Sequence, residues 1–388
     1  MAGGVQAGVK SVQNAADRGV RLTGGPLMNG KALEVGTVTA IAIGLLVWPL
    51  LTPQVAHFYG SLSAIYALIG LSLVILVGWT GQISLGHAAF VGVGCYFGAK
   101  LLNNDVPLVL TVPLIGLIGA AVSLILGIPS LRLRGVYFTI ATLAFGAACQ
   151  QYFFTRPEVR GIAADQVPRA NLVGIQTTSD RGLYYAVLVI LAIALVLAYN
   201  TRRTDVGRVL FAIRDSEQAA QAMAIKIAPY KIGLFAASAA LASIAGLFYG
   251  MLFQATPAPE QFSVLQSLFY LAMPVLGGAE ALLGALVGGT FLAVGQPLVN
   301  MFDVRLFLVT SIALLLTLLS GFDGVTGALK AARKAVADAV RGEPVRYGSF
   351  VPHDEVDHTP PRVHATVSDS PPPVGSVLRV RLVPGVRS

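Results

Sequence analysis

The sequence predicts an all-α polytopic membrane protein with roughly ten transmembrane helices, some of them broken or short, and a disordered C-terminal tail. Hydrophobic residues make up 55% of its 388 residues and charged residues only 12%, whereas about 25% of the residues of a typical soluble domain are charged. The mean hydropathy is +0.72, and the apolar residues form segments of about twenty, the length that crosses a bilayer core. A transmembrane β-barrel would instead require short segments of alternating polarity.

The charge distribution fits a membrane protein better than a nucleic-acid-binding protein. The net charge is +8, and Lys and Arg lie mainly in loops and near the termini, which is the pattern that sets orientation in a membrane. Cys95 and Cys149 lie in apolar segments, so we expect them to pack between helices rather than to bind a metal or form a disulfide. The first apolar run begins only near Gly36, without a small-residue cleavage site after it, so we expect no cleavable signal peptide.

Composition divides the chain into three regions. Residues 1–35 are polar and are expected to form a cytoplasmic leader, and residues 36–325 hold the apolar segments of a transmembrane domain. Residues 326–388 begin with a charged extension and continue as a Pro-rich tail that cannot bury enough apolar surface to fold alone. Three histidines of the tail have no metal-site spacing, so we interpret them as solvated side chains.

Roughly ten apolar segments are predicted to cross the membrane, with both termini in the cytoplasm. The predicted segments cover residues 36–53, 62–77, 88–102, 107–127, 135–153, 183–199, 232–253, 262–276, 281–298 and 306–319. Two basic clusters, at residues 131–134 and 202–203, place the loops that follow the fourth and sixth segments inside. The connection at residues 155–182 is then external although it contains four Arg, because long loops cross largely regardless of charge.

Two glycine-containing breaks interrupt the apolar segments. The first, residues 81–87, reads GQISLGH and leaves no room for an external domain between the second and third segments. It is predicted to be a tight turn or a broken helix, which is tolerated at membrane depth only when it is buried in protein or lines a wet cavity. The second break, residues 277–280 (GGAE), follows the eighth segment.

The polar stretch at residues 205–231 is the one long helix-prone insert between apolar segments. Asp215 or Ser216 can cap a helix whose first turn carries Glu217, a charge that suits the positive end of the helix dipole. Pro229 is predicted to end that helix. Its apolar face is predicted to consist of Ala219, Ala220, Met223 and Ile227. Taken alone, such a stretch is more often an ordinary solvated loop.

No catalytic or nucleotide-binding pattern stands out in the sequence. It lacks a nucleophile with a base at a plausible spacing, and it lacks a glycine-rich phosphate loop that ends in Lys-Ser or Lys-Thr. Gly92 and Gly94 are explained better by helix packing than by a dinucleotide site. Ionisable residues within the apolar region are few, chiefly His87, Lys100 and Glu280, whereas a proton-coupled carrier normally keeps such groups mid-span. The driving force is therefore expected to come from outside this chain.

Several motifs resemble those of a known transporter family. They are residues 81–90 (GQISLGHAAF), 131–138 (LRLRGVYF) with 142–146 (TLAFG), 207–220 (GRVLFAIRDSEQAA) and 275–278 (VLGG). Their sequence and order, within residues 60–325, resemble the inner-membrane permeases of branched-chain amino-acid ABC importers, of the LivM type. The chain departs from the family pattern at Ala224, where Gly is usual, and at residues 160–166 and 322–324.

The resemblance implies a permease subunit of an ATP-driven, binding-protein-dependent importer for branched-chain or related amino acids, with no ATP-binding site, cofactor or metal of its own. Its implied partners are a second homologous permease, a pair of cytoplasmic ATPase subunits and an external solute-binding protein. A urea or short-amide importer permease carries nearly the same motifs and remains an alternative, as does a self-sufficient secondary carrier. A membrane enzyme is disfavoured because no paired catalytic constellation is present.

The resemblance also gives the residues two groups of roles. Residues 215–227 would form a cytoplasmic helix that docks in a cleft of an ATPase subunit, with Arg208, Arg214 and Glu217 at the polar rim. The implied ATPase-coupling residues are Arg208, Arg214, Asp215, Glu217, Ala219, Ala220, Met223 and Ile227. The two breaks would lie near the translocation path, where free backbone groups can bind the charged ends of an amino acid. The residues implied there are Gly81, Gln82, Ser84, Gly86, His87, Gly277, Gly278 and Glu280.

Overall fold

The described part of the chain is helical, in agreement with the predicted all-α class. A computed structural model describes Pro49 and residues 54–130, 136–160, 166–171, 177, 179–278 and 281–301. Every regular element within these ranges is a helix. The leader, the tenth predicted segment, the charged extension and the tail lie outside the described residues, as does the first predicted segment except for Pro49.

The helices are numbered here in chain order. They are α1 (Gln54–Leu73), α2 (His87–Asn103), α3 (Leu108–Ser130), α4 (Val136–Ala148), α5 (Pro157–Arg160), α6 (Asp180–Arg203), α7 (Asp205–Asp215), α8 (Glu217–Ala222), α9 (Ile227–Phe253), α10 (Val264–Gly277) and α11 (Leu282–Met301). Two π-helical turns, Val74–Gly78 and Cys149–Phe153, continue α1 and α4, and a 3₁₀ turn, Pro259–Phe262, precedes α10.

Four of the described helices are long and apolar enough to cross a membrane. These four spans are Ala56–Gly78, Leu108–Gly127, Asp180–Arg203 and Ile227–Phe253. Some helices extend beyond the predicted apolar segments because polar residues stabilise their ends. In α6, the Ser179 hydroxyl accepts a hydrogen bond from the Gly182 amide at 3.1 Å, and Arg202 and Arg203 occupy the last turn, where positive charge is favourable.

Helix α9 holds the bundle together. It packs against α2, α3 and α1, and α1 packs in turn against α6 and α11. The approach between α2 and α9 brings backbones together: a Cβ at Gly94 would lie 1.8 Å from the Ser243 carbonyl oxygen, and one at Gly246 would lie 1.9 Å from the Val91 carbonyl oxygen. Only glycine fits at such contacts, so the helix-packing interpretation of Gly94 is confirmed.

Candidate functional site

The polar stretch at residues 205–231 folds into α7, α8 and the first turn of α9. Helix α7 buries one face, formed by Gly207, Leu210 and Ile213, whose spacing of three places them on one side of the helix. The opposite face carries an exposed ion pair between Arg208 and Asp205 at 2.9 Å. Together α7 and α8 form the surface module, a pair of short helices with a packed inner side and a charged outer side.

The predicted cap of the short helix α8 is confirmed at Ser216. Its hydroxyl accepts a hydrogen bond from the Ala219 amide at 3.2 Å, and Glu217 in the first turn forms an ion pair with Lys231. The predicted end of that helix is wrong. Helix α8 ends at Ala222, and Pro229 lies in the first turn of α9, where its missing N–H would have had no intrahelical acceptor.

The C-terminus of α8 is a Schellman turn built on Ala224. The Ala224 amide donates to the Gln221 carbonyl at 2.9 Å, and the Ile225 amide donates to the Ala220 carbonyl at 3.1 Å. Ala224 has a φ of 59°, the left-handed conformation that favours glycine and costs other residues about 1–2 kcal/mol. Its departure from the family pattern therefore falls at the position where glycine has a physical purpose.

The turn at Ala224 divides the predicted apolar face of this segment. Ala220 and Ile227 are buried in a small cluster with Ile213, whereas Ala219 is exposed and Met223 has 63% of its surface exposed. The expectation of one continuous apolar face from residue 219 to residue 227 is therefore wrong. The structure instead leaves Met223 as an apolar side chain on the surface.

Arg214 points toward the end of α1 rather than to a solvent-facing rim, which corrects its predicted placement. Its Nη1 donates to the Gly78 carbonyl oxygen at 2.7 Å. Its Cγ is 3.8 Å from where a Cβ on Gly81 would lie. On the preceding turn of α7, the Phe211 ring packs against the Trp79 ring, with 6.2 Å between the two ring centroids. The surface module is thus attached to Gly78 and Trp79, at the end of the π-helical turn that continues α1.

The predicted break between the second and third segments is confirmed. Residues 81–86, the helix break, are non-helical, and α2 begins at His87. Gly81 has a φ of 67°. The first half of the helix break is largely exposed, and 42% of the Ile83 surface is accessible to solvent. Ser84 and Gly86, in the second half, are buried.

Helix α4 satisfies backbone groups of the helix break. The Leu85 amide donates to Thr142 Oγ1 at 3.1 Å, and Thr139 Oγ1 donates to the Ile83 carbonyl oxygen at 3.1 Å. A Cβ at Gly86 would lie 2.2 Å from the Thr142 carbonyl oxygen. Non-helical backbone at membrane depth needs such partners, and here two threonine hydroxyls supply them.

Two buried polar atoms at the helix break have no hydrogen-bond partner among the described residues, His87 Nδ1 and Ser84 Oγ. His87 Nε2 lies 2.7 Å from Ser72 Oγ, and Ser72 Oγ donates its proton to the Ile69 carbonyl oxygen at 2.6 Å. With the Ser72 proton directed to the Ile69 carbonyl, a neutral imidazole donates from Nε2, and Nδ1 is then an acceptor. Buried polar atoms without partners are costly, so these two mark the helix break as a polar site inside an apolar bundle.

The second predicted break is a tight turn between α10 and α11. Gly278 has a φ of 106°, and a Cβ at Gly277 would lie 1.9 Å from the Gly284 carbonyl oxygen. Glu280 lies outside the described residues. Helix α10 meets the start of α2 through Ser267, whose hydroxyl accepts from the Ala88 amide at 3.0 Å. Gly277 lies ten residues after Ser267 in α10. At 1.5 Å per residue, the α10–α11 turn is therefore about 15 Å along the helix from the contact with α2.

The sequence interpretation missed the hydroxyl groups that support the helix break. Ser72, Thr142 and Ser267 each bond to a residue of the helix break or of the first turn of α2. The available signal was a lone small hydroxyl inside an apolar segment. Such residues hydrogen-bond across helices in membrane proteins, but their partners cannot be read from spacing because they lie on other helices.

Comparison with known proteins assigns the chain to a transporter family. A family model described as "Branched-chain amino acid transport system / permease component" matches residues 55–319. The high-affinity branched-chain amino acid transport system permease protein LivM of Escherichia coli (strain K12) is 29% identical over 322 residues, which cover 74% of this chain and 75% of that protein. LivM of Salmonella typhimurium is 28% identical over 319 residues, covering 74% of this chain and 75% of that protein.

A sugar permease is more distantly similar. The ribose import permease protein RbsC of Haemophilus influenzae is 24% identical over 249 residues, which cover 63% of this chain and 76% of that protein. No solved structure matches the chain significantly. The family match extends over the helix break, the surface module and the α10–α11 turn. This chain belongs to the family of permease components of branched-chain amino acid transport systems.

Proposed function

We propose that this chain is the transmembrane permease subunit of an ATP-driven, binding-protein-dependent importer of branched-chain amino acids in a bacterial inner membrane. The observation that carries the proposal is the family match over residues 55–319, together with the LivM relatives. The four long apolar helices support a multi-pass membrane protein. In the proposed topology roughly ten helices cross the bilayer and both termini are cytoplasmic.

The proposed partners supply what the chain lacks. ATP binding and hydrolysis belong to a pair of cytoplasmic ATPase subunits, so this subunit is not itself an enzyme and takes no cofactor. A second homologous permease completes the membrane part, and an external solute-binding protein delivers the substrate. The family match supports this division of tasks, because the matching family is described as a permease component.

The surface module is the proposed docking site for an ATPase subunit. The module and the residue that follows α8 expose two large apolar side chains, Val206 and Met223. The module also carries exposed Arg208 and Asp215 and partly exposed Glu217. Its inner side is fixed by the cluster of Ile213, which lets the two helices respond as a unit. An apolar contact inside a charged rim is a common pattern at protein interfaces.

The helix break is the proposed part of the translocation path, with the α10–α11 turn as its second flank. The Ser84 hydroxyl and His87 Nδ1, which have no hydrogen-bond partner within the described part of the chain, support this role, as does partly exposed Gln82. Polar groups at an interrupted helix can replace the water that surrounds the ammonium and carboxylate groups of an amino acid. Charged side chains are then not needed at membrane depth.

Reconstitution decides between this function and its alternatives. The purified complex of this chain with its partner subunits is placed in proteoliposomes with ATP, and uptake of radiolabelled leucine and of urea is measured. ATP-dependent leucine uptake supports the proposal, while uptake of urea alone supports a urea or short-amide importer. Solute movement by this chain alone, driven by an ion gradient, would instead identify a secondary carrier.

A further inference from the structure

Three different partners bond the carbonyl groups of residues 76–78, in the π-helical turn that continues α1. The Leu76 carbonyl accepts from Thr80 Oγ1 at 2.7 Å, and the Val77 carbonyl accepts from the Gly81 amide at 3.0 Å. The Gly78 carbonyl accepts from Arg214, which lies 136 residues further along the chain, at 2.7 Å. The final carbonyls of a helix have no partner within it, and an Arg that bonds one of them also neutralises the negative end of the dipole.

Helix α7 contacts Gly78 and Trp79, at the end of this π-helical turn. Arg214 bonds to Gly78, and Phe211, one turn earlier in α7, packs against the buried ring of Trp79. The Arg202 guanidinium carbon lies 5.3 Å from the centre of the Phe211 ring. A single flexible side chain could rotate without moving the helix that it contacts. Because α7 makes two contacts one turn apart, a displacement of α7 also displaces residues 78 and 79.

The residues that α7 contacts, Gly78 and Trp79, lie just before the helix break in the sequence. The preceding π-helical turn, Val74–Gly78, departs from regular α-helical bonding, and such turns are frequent at functional sites. Gly81 follows Gly78 by three residues and begins the helix break with a φ of 67°. A movement of Gly78 is therefore passed to the segment that contains the buried Ser84 hydroxyl.

Helix α7 also packs against α8. Ile213, next to Arg214, is packed with Ala220 of α8 and Ile227 of α9. Pressure on α8 is therefore carried into α7 by a packed contact rather than by a loop. The described residues form one continuous series of contacts from the outer surface of α8 to the helix break.

We infer that Arg214 is a positioning residue that transmits motion of the surface module to the helix break through its bond to the Gly78 carbonyl. The inference rests on the proposed function, because it takes a partner ATPase as the source of the motion. We assign Arg214 to coupling rather than to docking because it is partly buried and its guanidinium bonds to backbone of this chain. Its loss should leave the complex assembled and hydrolysing ATP, while uptake no longer follows hydrolysis.

The test compares hydrolysis with uptake in one preparation. The complex is reconstituted in proteoliposomes with native chain, with Arg214→Met or with Arg214→Lys, and leucine uptake is divided by ATP hydrolysed. Met keeps a long side chain but has no donor, and Lys keeps one charged donor. We expect uptake per ATP to fall about tenfold in Arg214→Met and less in Arg214→Lys, within the range that coupling substitutions produce.

Arg203→Met is the matched control. Arg203 lies at the end of α6 on the same side of the protein and is exposed, with its guanidinium 4.2 Å from the centre of the Tyr199 ring. The substitution removes one surface Arg in the same way without touching α1. We expect its uptake per ATP to equal that of the native chain.

A second measurement follows the helix break itself. Ile83→Cys places a thiol on its exposed half, and the rate of maleimide labelling is measured with and without ATP. We expect ATP to change the labelling rate in the otherwise native chain and to leave it unchanged when Arg214→Met is added. A residue with a purely structural role would alter stability without abolishing this response.

The outcomes separate this inference from the proposed function. Absence of ATP-dependent uptake by the native complex would overturn the proposed function and the inference together. Native coupling with equal uptake per ATP in Arg214→Met and Arg203→Met would overturn the inference alone, as would loss of the ATPase subunits from Arg214→Met. If Arg214→Met does not accumulate, Arg214→Lys decides: reduced uptake per ATP supports the inference, and unchanged uptake per ATP contradicts it.

Discussion

The surface module and the helix break both interrupt the apolar helices, but they treat their polar groups in opposite ways. In the surface module Arg208 pairs with Asp205 at the exposed surface, and partly exposed Glu217 pairs with Lys231 of α9. In the helix break, backbone groups are bonded by hydroxyls of α4, and Ser84 is buried without a partner among the described residues. These differences fit the roles proposed above, a docking surface for the surface module and part of the translocation path for the helix break.

The largest expected effect is intolerance of the helix break to one added methyl group. Gly86→Ala would place a Cβ 2.2 Å from the Thr142 carbonyl oxygen, a backbone clash that a side-chain rotation cannot relieve. We expect a loss of about 3 kcal/mol of stability or failure to accumulate, at the upper end of overpacking costs. Thermal unfolding in detergent, followed by size-exclusion chromatography, measures the change.

Gly233→Ala in α9 is the control for this substitution. Apart from its own helix backbone and chain neighbours, no atom of the described residues lies within 4 Å of a Cβ at that position. Alanine stabilises a helix by about 0.5–1 kcal/mol relative to glycine. We expect it to be as stable as the native chain or more so. Equal stability of the Gly86→Ala and Gly233→Ala chains would show that α4 does not pack against the helix break as described.

A smaller effect separates function from stability at the helix break. Ser84→Ala removes a buried hydroxyl that has no partner among the described residues, so we expect stability to stay the same or rise. Leucine uptake by the complex should nevertheless fall several-fold if the hydroxyl serves the path. Both quantities are measured on the same purified chain, by thermal unfolding and by uptake in proteoliposomes.

Ser238→Ala gives the opposite pattern for comparison. The Ser238 hydroxyl donates to the Ser72 carbonyl oxygen at 2.7 Å, and losing an interhelical bond of this kind costs about 0.6–2 kcal/mol. A loss of stability in Ser84→Ala as large as that in Ser238→Ala would contradict the assignment of Ser84. Unchanged uptake after Ala substitution at Gln82, Ser84 and His87 would remove the helix break from the path.

The smallest expected effect concerns the turn that ends α8. Ala224→Gly should raise stability by about 1 kcal/mol, because Ala224 occupies a left-handed conformation with a φ of 59°. Ala222→Gly, two residues earlier and still helical, should lower stability by about 0.5–1 kcal/mol. Thermal unfolding of the two variants checks the sign, and equal effects would contradict the Schellman turn.

Local signals predicted the start of each region. The dense polar and glycine residues between two apolar segments predicted the helix break. Asp215 or Ser216 before Glu217 predicted the cap of α8, which the structure assigns to Ser216. Both features depend on residues that are neighbours in the sequence. The same is true of Ala224, whose departure from the family pattern falls at the αL position of the turn.

Contacts between distant residues account for what the sequence did not predict. Arg214 was expected at an outer rim, but the Gly78 carbonyl that it bonds is 136 residues away. The end of α8 was placed too late because Pro229 stops a helix in its interior yet fits within the first turn of the next one. His87 was recognised as polar, but its partner Ser72 lies on another helix.

The most direct test of the central claim is co-purification of ATPase subunits with this chain from detergent-solubilised membranes. Met223→Asp is compared with Met223→Leu, because Met223 is exposed and either substitution should leave the fold intact. We expect ATPase subunits to co-purify with the native chain and with Met223→Leu, and to be lost from correctly folded Met223→Asp. ATPase subunits absent from every preparation, with solute transport by the purified chain alone in liposomes, would contradict the importer function.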